Sequence, residues 1–189
     1  MTGVRLRVPQ PAMLPHYLAA LRRGWTPDSD GDLDRAQRLA EQVEADASRY
    51  LSWLWNPEAL GPKVTLEDGR EVPRLAHVRH WIVDDDFCGE INLRWQPGTS
   101  ELPDYCDGHV GYAVVPWKRR RGVAASALRQ LARLAPSFGL AWLDIAMSVD
   151  NLASRRVAES AGAVLLDEYT ALEQGGVRAC KYRLACNDA

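Results

Sequence analysis

An apolar run from His109 to Val115, stopped by Pro116, is followed within seven residues by a helix-periodic segment. In that segment Val123, Ala124, Ala127, Leu128, Leu131 and Leu134 fall on one face up to Pro136. The spacing changes from strand-like to a 3.6-residue period across the basic turn Lys118, Arg119, Arg120, Arg121. A strand joined so tightly to a helix favours an α/β fold over an all-helical or all-strand one.

The flanking pattern extends this order. Val4, Leu6 and Val8 alternate with Arg5 and Arg7, which predicts a first strand closed by Pro9. Pro11–Arg23 is weakly helical, and a second helix, capped by Asp32, runs from Leu33 toward Trp55 and stops at Asn56-Pro57. Asp68-Gly69 marks a tight turn between short extended pieces. Leu75–Val83 and Phe87–Trp95 read as a hairpin around Asp84, Asp85 and Asp86. After the central helix come a strand over Leu140–Met147, a short helix over Asn151–Ser160 ended by Gly162, and two closing strands, Ala163–Tyr169 and Val177–Leu184. The expectation is one α/β domain with a mixed, mostly antiparallel sheet of about six or seven strands and helices on both faces.

Composition excludes several classes. The 189 residues are 47% hydrophobic and 25% charged, which does not fit a disordered chain or a coiled coil. A formal net charge of −2 argues against general nucleic-acid coating. No apolar stretch reaches the roughly 18 residues of a membrane span, and Met1–Gln10 lacks the apolar block of a secretory leader. Cys88, Cys106, Cys180 and Cys186 show neither metal-type spacing nor disulfide density, so a reducing cytoplasm and no metal are expected.

The first amides of any helix lack intrahelical partners and lie at its positive end. Here Gly122, Ala124 and Ala125 keep that end clear of bulk, and Arg119, Arg120 and Arg121 add charge. These are the requirements of a diphosphate site; a solvated charge run that merely opens a helix would carry the same residues. With no Gly-Lys-Ser/Thr and only one glycine, the turn is neither a Walker loop nor a dinucleotide fingerprint.

The spacing Val114-x-Pro116-x-x-Arg119-x-x-Gly122-x-Ala124 resembles the acetyl-CoA signature of the GNAT superfamily of N-acetyltransferases. A second element, Asp150, Asn151, Ser154 and Arg155 followed by a short helix and Gly162-Ala163, is similar to that family's Asn-x-x-Ala/Ser helix, with Ala163 in place of an aromatic residue. Gly89 to Arg94 followed by Gly108 to Tyr112 looks most like a branch known only as predicted acetyltransferases.

The resemblance implies that the strands ending at Val115 and passing through Asp144 splay apart to admit a pantetheine arm. Backbone groups of Tyr112, Ala113 and Val114 would pair with that arm, and an N–H near Val114 would face the thioester carbonyl. Arg119, with the amides of Arg120, Arg121, Gly122, Val123, Ala124 and Ala125, would take the pyrophosphate. Asn151 would lie near the arm, and Ser154 would cap or line the next helix. Acetyl-CoA is thus the expected co-substrate and an amine-bearing small molecule or peptide the expected partner, with attack in a ternary complex and a homodimer as a possible assembly. Residues 1–73 would form the acceptor side, 74–166 the cofactor core and 167–189 the closing strands of one domain.

The family's usual tyrosine and glutamate fall on Ala158 and Ala146, so proton transfer has to move elsewhere. His109, Glu90 and Tyr112 are the substitutes nearby; His109 reads equally as a structural histidine, while a carboxylate at Glu90's position is more often solvent-facing and an inner-strand aromatic like Tyr112 more often core. The missing pair also leaves open a non-catalytic or regulatory CoA-binding module. The acceptor would lie under Gly24–Asn56 and Gln96–Asp107. Trp25, Trp53 and Trp55, with Asp28, Asp30, Asp32, Glu101, Asp104 and Asp107, would there suit a cationic amine, although a Trp-rich core under acidic loops would look the same.

Overall fold

The computed structural model describes residues 3–28, 32–171 and 176–186. Strand β1 (Arg5–Arg7) leads to helices α1 (Leu14–Arg22), α2 (Leu33–Ala45) and α3 (Ala47–Trp53). The two-residue strands β2 (Trp55–Asn56), β3 (Val64–Thr65) and β4 (Glu71–Val72) precede the long hairpin of β5 (Ala76–Val83) and β6 (Phe87–Trp95). Then come β7 (Val110–Val114), α4 (Val123–Leu134), β8 (Trp142–Ser148), α5 (Leu152–Ala161), β9 (Val164–Ala171) and β10 (Val177–Ala185).

The helix expected to run on from Leu33 toward Trp55 is instead two helices. Asp46 breaks it, because its backbone turns to φ −154° and its carboxylate accepts the Arg49 N–H, making it the N-cap of α3.

The strands form two larger sheets. One has the order β1-β5-β6-β7, with β2 also on β5, and the other the order β8-β10-β9; β3 and β4 form a separate small hairpin. Each hydrogen-bonded strand pair among the described residues is antiparallel. Helices cover both faces of the first sheet. On one, Ala76, Val78, Ile82, Ile91 and Leu93 pack with Val123, Leu128 and Leu131 of α4. On the other, Trp81 and Phe87 meet Tyr17, Trp25 and Tyr50 of the α1–α3 layer, with Tyr17 and Trp81 stacked at 4.7 Å between ring centres.

A bulge decides which side chain faces which layer. Ile82 pairs with Gly89 and Val83 with Phe87, so Cys88 is an extra residue that reverses the alternation of β6. Gly89 sits at φ +147°, where a Cβ would lie 2.2 Å from the Ala113 carbonyl oxygen. Only glycine lets β6 pass β7 that closely.

The two sheets meet without a ladder between β7 and β8. They are tied where the His109 N–H donates to the Asp144 carbonyl at 2.7 Å, and the strands then part.

Candidate active site

The gap between the parted strands opens into a cleft of about 690 Å³. Its walls are Tyr112, Ala113 and Val114 of β7, the turn residues Arg119, Arg120 and Gly122, and the first residues of α4. Asn151, Ser154 and further residues of α5 close one side, and Thr26, Pro27 and Asp28 close the mouth.

Strand alternation aims the backbone into this gap. The His109 carbonyl accepts the Arg94 N–H and the Val115 N–H donates to the Cys88 carbonyl, so odd-numbered residues of β7 bond to β6. The amides of Tyr112 and Val114 therefore point the other way, toward the parting. The Val114 carbonyl is already taken by Arg119 Nε at 2.9 Å, which leaves the Val114 N–H facing the gap.

At the head of α4 the N-cap is Gly122, left-handed at φ +73° and without a capping side chain. The first helical bond there runs from the Ser126 N–H to the Gly122 carbonyl. The N–H groups of Val123, Ala124 and Ala125 thus open on the cleft without intrahelical acceptors. Nothing lies within 4 Å of a Cβ built on Gly122, so the conformation rather than the space calls for glycine. Arg120 is also left-handed, at φ +59°. Of the residues that the sequence assigns to the cofactor, Arg121 alone is outside the lining; it is exposed to solvent.

Asn151 is the N-cap of α5, accepting the Ser154 N–H at 3.0 Å; of the two roles expected of Ser154, the cap belongs to Asn151 and Ser154 lines the cleft. The Tyr112 hydroxyl crosses the cleft to donate to the Ser154 carbonyl at 3.2 Å. Burial raises the Tyr112 phenol above its ordinary value, so it is protonated at neutral pH.

Two of the three substitutes for proton transfer do not reach this cleft. His109 is fully buried, its Nδ1 accepts the Asp144 N–H at 2.9 Å, and burial pushes its pKa down to about 4. It is a neutral clasp between β7 and β8 rather than an accessible base. Glu90 is buried on the α1–α3 face, with one oxygen 2.6 Å from Arg79. Burial pushes that carboxyl up against the pull of the Arg79 guanidinium. The bulge explains its placing: Ile91 faces α4, so Glu90 faces Trp81 and the tyrosine pair Tyr17 and Tyr50.

None of the three tryptophans expected beside the acceptor lines this cleft. Trp25 is core, Trp53 and Trp55 are surface residues away from the lining, and Trp55 packs against His80 and Phe138. Among the acidic candidates Asp28 reaches the mouth, where it pairs with Arg35, and Asp32 caps α2. Asp30 lies outside the described residues. Glu101 is exposed, and Asp104 pairs with Arg70.

Asp107 belongs to a second hollow of about 480 Å³, together with Tyr105, Gly108, Ala146, Ser148 and Tyr169. On β10, Tyr182 reaches Glu159 of α5, so Ala179 and its partner Ser148 face away from that helix. The second hollow therefore opens on the opposite face from the cleft. Gly108 forms its floor, where a Cβ would stand 2.9 Å from the Ala146 amide nitrogen.

Sequence reasoning passed over Thr26, Pro27, Ala153, Arg156, Val157 and Ser160. The α5 residues are signalled by helical spacing from Ala153; Thr26 and Pro27 carry no signal in the turn-rich stretch that holds them. Among the described residues no group of three His, Cys, Asp or Glu side chains is placed to hold a metal, and no helix is long and apolar enough to cross a membrane.

Solved structures share this architecture. The ribosomal-protein α-N-acetyltransferase RimL in complex with coenzyme A aligns with a TM-score of 0.61 at 14% identity, over 100% of this chain and 97% of that one. The microcin self-immunity acetyltransferase MccE, in complex with acetyl-CoA and AMP, aligns with a TM-score of 0.60 at 14% identity, over 96% and 92%. An acetyltransferase that modifies the N-terminal serine of a 50S ribosomal subunit protein from Salmonella typhimurium aligns with a TM-score of 0.59 at 14% identity, over 99% and 97%. At such identities the likeness is one of fold. No curated protein matches the chain in sequence. The family model described as an acetyltransferase (GNAT) domain matches residues 23–164, which span the parting strands, the bare helix end and the α5 cap, and the chain belongs to the GNAT acetyltransferases.

Proposed function

We propose that the cleft takes acetyl-CoA and that the chain transfers the acetyl group to a primary amine of a small molecule or peptide by direct attack in a ternary complex. One observation carries this reading. The same cleft holds backbone amides turned into a strand gap, at Tyr112 and Val114, and unpaired amides at a helix end cleared of side chains, at Val123–Ala125. The first set suits the amides of a pantetheine arm, and the second a pyrophosphate.

The Val114 N–H is the donor available to a carbonyl that gains negative charge in the gap; such donors contribute a few kcal/mol, roughly 3. Tyr112 lines the same gap with a protonated hydroxyl and supplies a proton to a departing thiolate. An alkyl amine, with a pKa near ~10.4, must lose a proton before attack, and with His109 and Glu90 outside the cleft that proton passes to water. The second hollow adjoins the same pair of strands from the other face, and the carboxylate of Asp107 in it suits a cationic amine. Residues 1–73 lend Thr26–Asp28 to the cleft and Leu66, Glu67, Asp68 and Arg70 to the hollow, consistent with an acceptor-side role. The four free cysteines fit a reducing cytoplasm.

The second reading, a CoA-binding module without turnover, is favoured by one observation: His109 and Glu90 are both buried outside the cleft, and Ala146 and Ala158 offer no acid or base. Thiol release from acetyl-CoA in the presence of an amine and peptide panel separates the two. Release with any amine supports transfer. Calorimetric CoA binding with no release across the panel supports the module, and no binding removes both.

A further inference from the structure

Three consecutive side chains of the turn before α4 are tied to three different parts of the fold. The Arg23 guanidinium lies over the Trp117 ring, 3.4 Å from its centre. Lys118 Nζ donates to both carboxylate oxygens of Asp84 at 2.8 Å. Arg119 Nε donates to the Val114 carbonyl at 2.9 Å. The next residue, Arg120, is left-handed, and Gly122 is left-handed two residues on. A left-handed non-glycine residue is strained and persists only where its surroundings hold it.

Asp84 is the tether that comes from the β5–β6 hairpin, 34 residues before Lys118. It stands at the tip of the β5–β6 hairpin, where it also accepts the Asp86 N–H at 2.9 Å. The extra residue Cys88 lets the hairpin reach past the end of β7, since its carbonyl accepts the Val115 N–H at 3.0 Å. The pair is shielded, with Lys118 16% and Asp84 19% exposed, unlike a surface ion pair that solvent weakens. Burial works against the Asp84 carboxylate, yet Lys118 and the Asp86 amide hold its pKa down at about 2.

We propose that Asp84 is a positioning residue: through Lys118 it fixes the Arg119–Gly122 turn in the shape that presents the α4 amides to an incoming phosphate. The basic run is thereby divided. Lys118 is spent on the hairpin and Arg119 on β7, while Arg120 borders the cleft and Arg121 the solvent beside it. The catalytic consequence rests on the reading of the cleft as an acetyl-CoA site; the structural one does not.

The test compares Asp84→Asn, Lys118→Met and the double variant in two measurements. Without any ligand, amide hydrogen exchange at Lys118, Arg119 and Ser126, whose N–H groups are bonded to the Val115, Pro116 and Gly122 carbonyls, should quicken about tenfold in each single variant. With acetyl-CoA and a working acceptor, KM for acetyl-CoA should rise about tenfold with kcat within twofold. The double variant should be no worse than either single one, because each removes the same interaction. Unchanged exchange in Asp84→Asn, or effects that add in the double variant, would overturn the proposal. If the wild-type protein takes up no acetyl-CoA, the function proposed above falls, and the exchange data alone still decide whether Asp84 holds the turn.

Discussion

His109 and Asp144 bond to one another twice: the His109 N–H donates to the Asp144 carbonyl at 2.7 Å, and the Asp144 N–H donates to His109 Nδ1 at 2.9 Å. The second bond requires Nδ1 without a proton and so assigns the hydrogen of the neutral ring to Nε2. This double clasp closes the base of the parting between β7 and β8.

The clasp predicts an acid sensitivity. With a native pKa of about 4 against an ordinary ~6.5, the unfolded chain takes up the His109 proton first as pH falls. The stability that the neutral ring contributes is complete above pH ~6.5 and is lost on the way down to about 4. Between pH 6.5 and 5 this one group removes about 2 kcal/mol. His80, pushed down to about 4 by burial, adds a loss of the same sign. Urea unfolding at pH 7.5 and pH 5 should show a smaller acid penalty in His109→Gln than in the wild type. An equal penalty, or an acid limb of the pH–rate profile that disappears in the variant, would contradict the clasp role.

Tyr112→Phe should keep the ring in place and remove only the bond to Ser154 and the proton. The expected result is a kcat lower by about 10²-fold with KM for acetyl-CoA within threefold. Turnover at the wild-type rate would take the proton-donor role from Tyr112.

Gly89→Ala should be costly for two reasons. The new Cβ would stand 2.2 Å from the Ala113 oxygen, and the backbone is at φ +147°. Loss of at least about 3 kcal/mol in denaturant unfolding is expected, against the usual ~1 kcal/mol for a point change. A loss below that usual value would mean that the β6–β7 approach is looser than described.

These particulars show how far the sequence carries. The β5–β6 hairpin ends lie within a residue of their expectation, because alternation, the three aspartates and the apolar run all agree there. The position of the turn before α4 was legible because the spacing changes there from strand to helix period, between Pro116 and Val123. Glu90 was not. One inserted residue, Cys88, flips the face of everything after it, and only the strand register reveals that the far face is covered by Tyr17 and Tyr50. His109 was hidden by its backbone, because its partner is a main-chain amide 35 residues away. The break at Asp46 was missed because a capping aspartate inside a helical pattern looks like any exposed polar residue.

Asp107→Asn tests the acceptor side. With the donor cleft untouched on the opposite face, KM for a cationic amine should rise about tenfold while KM for acetyl-CoA stays within twofold. A change in the acetyl-CoA term alone would move the acceptor away from this hollow.

The central claim is that the phosphates of the donor rest on the bare end of α4, and an amide-by-amide hydrogen-exchange map with and without acetyl-CoA tests it most directly. The account predicts protection concentrated at Tyr112, Val114 and Val123–Ala125. Uptake of acetyl-CoA with those amides exchanging as before would contradict it.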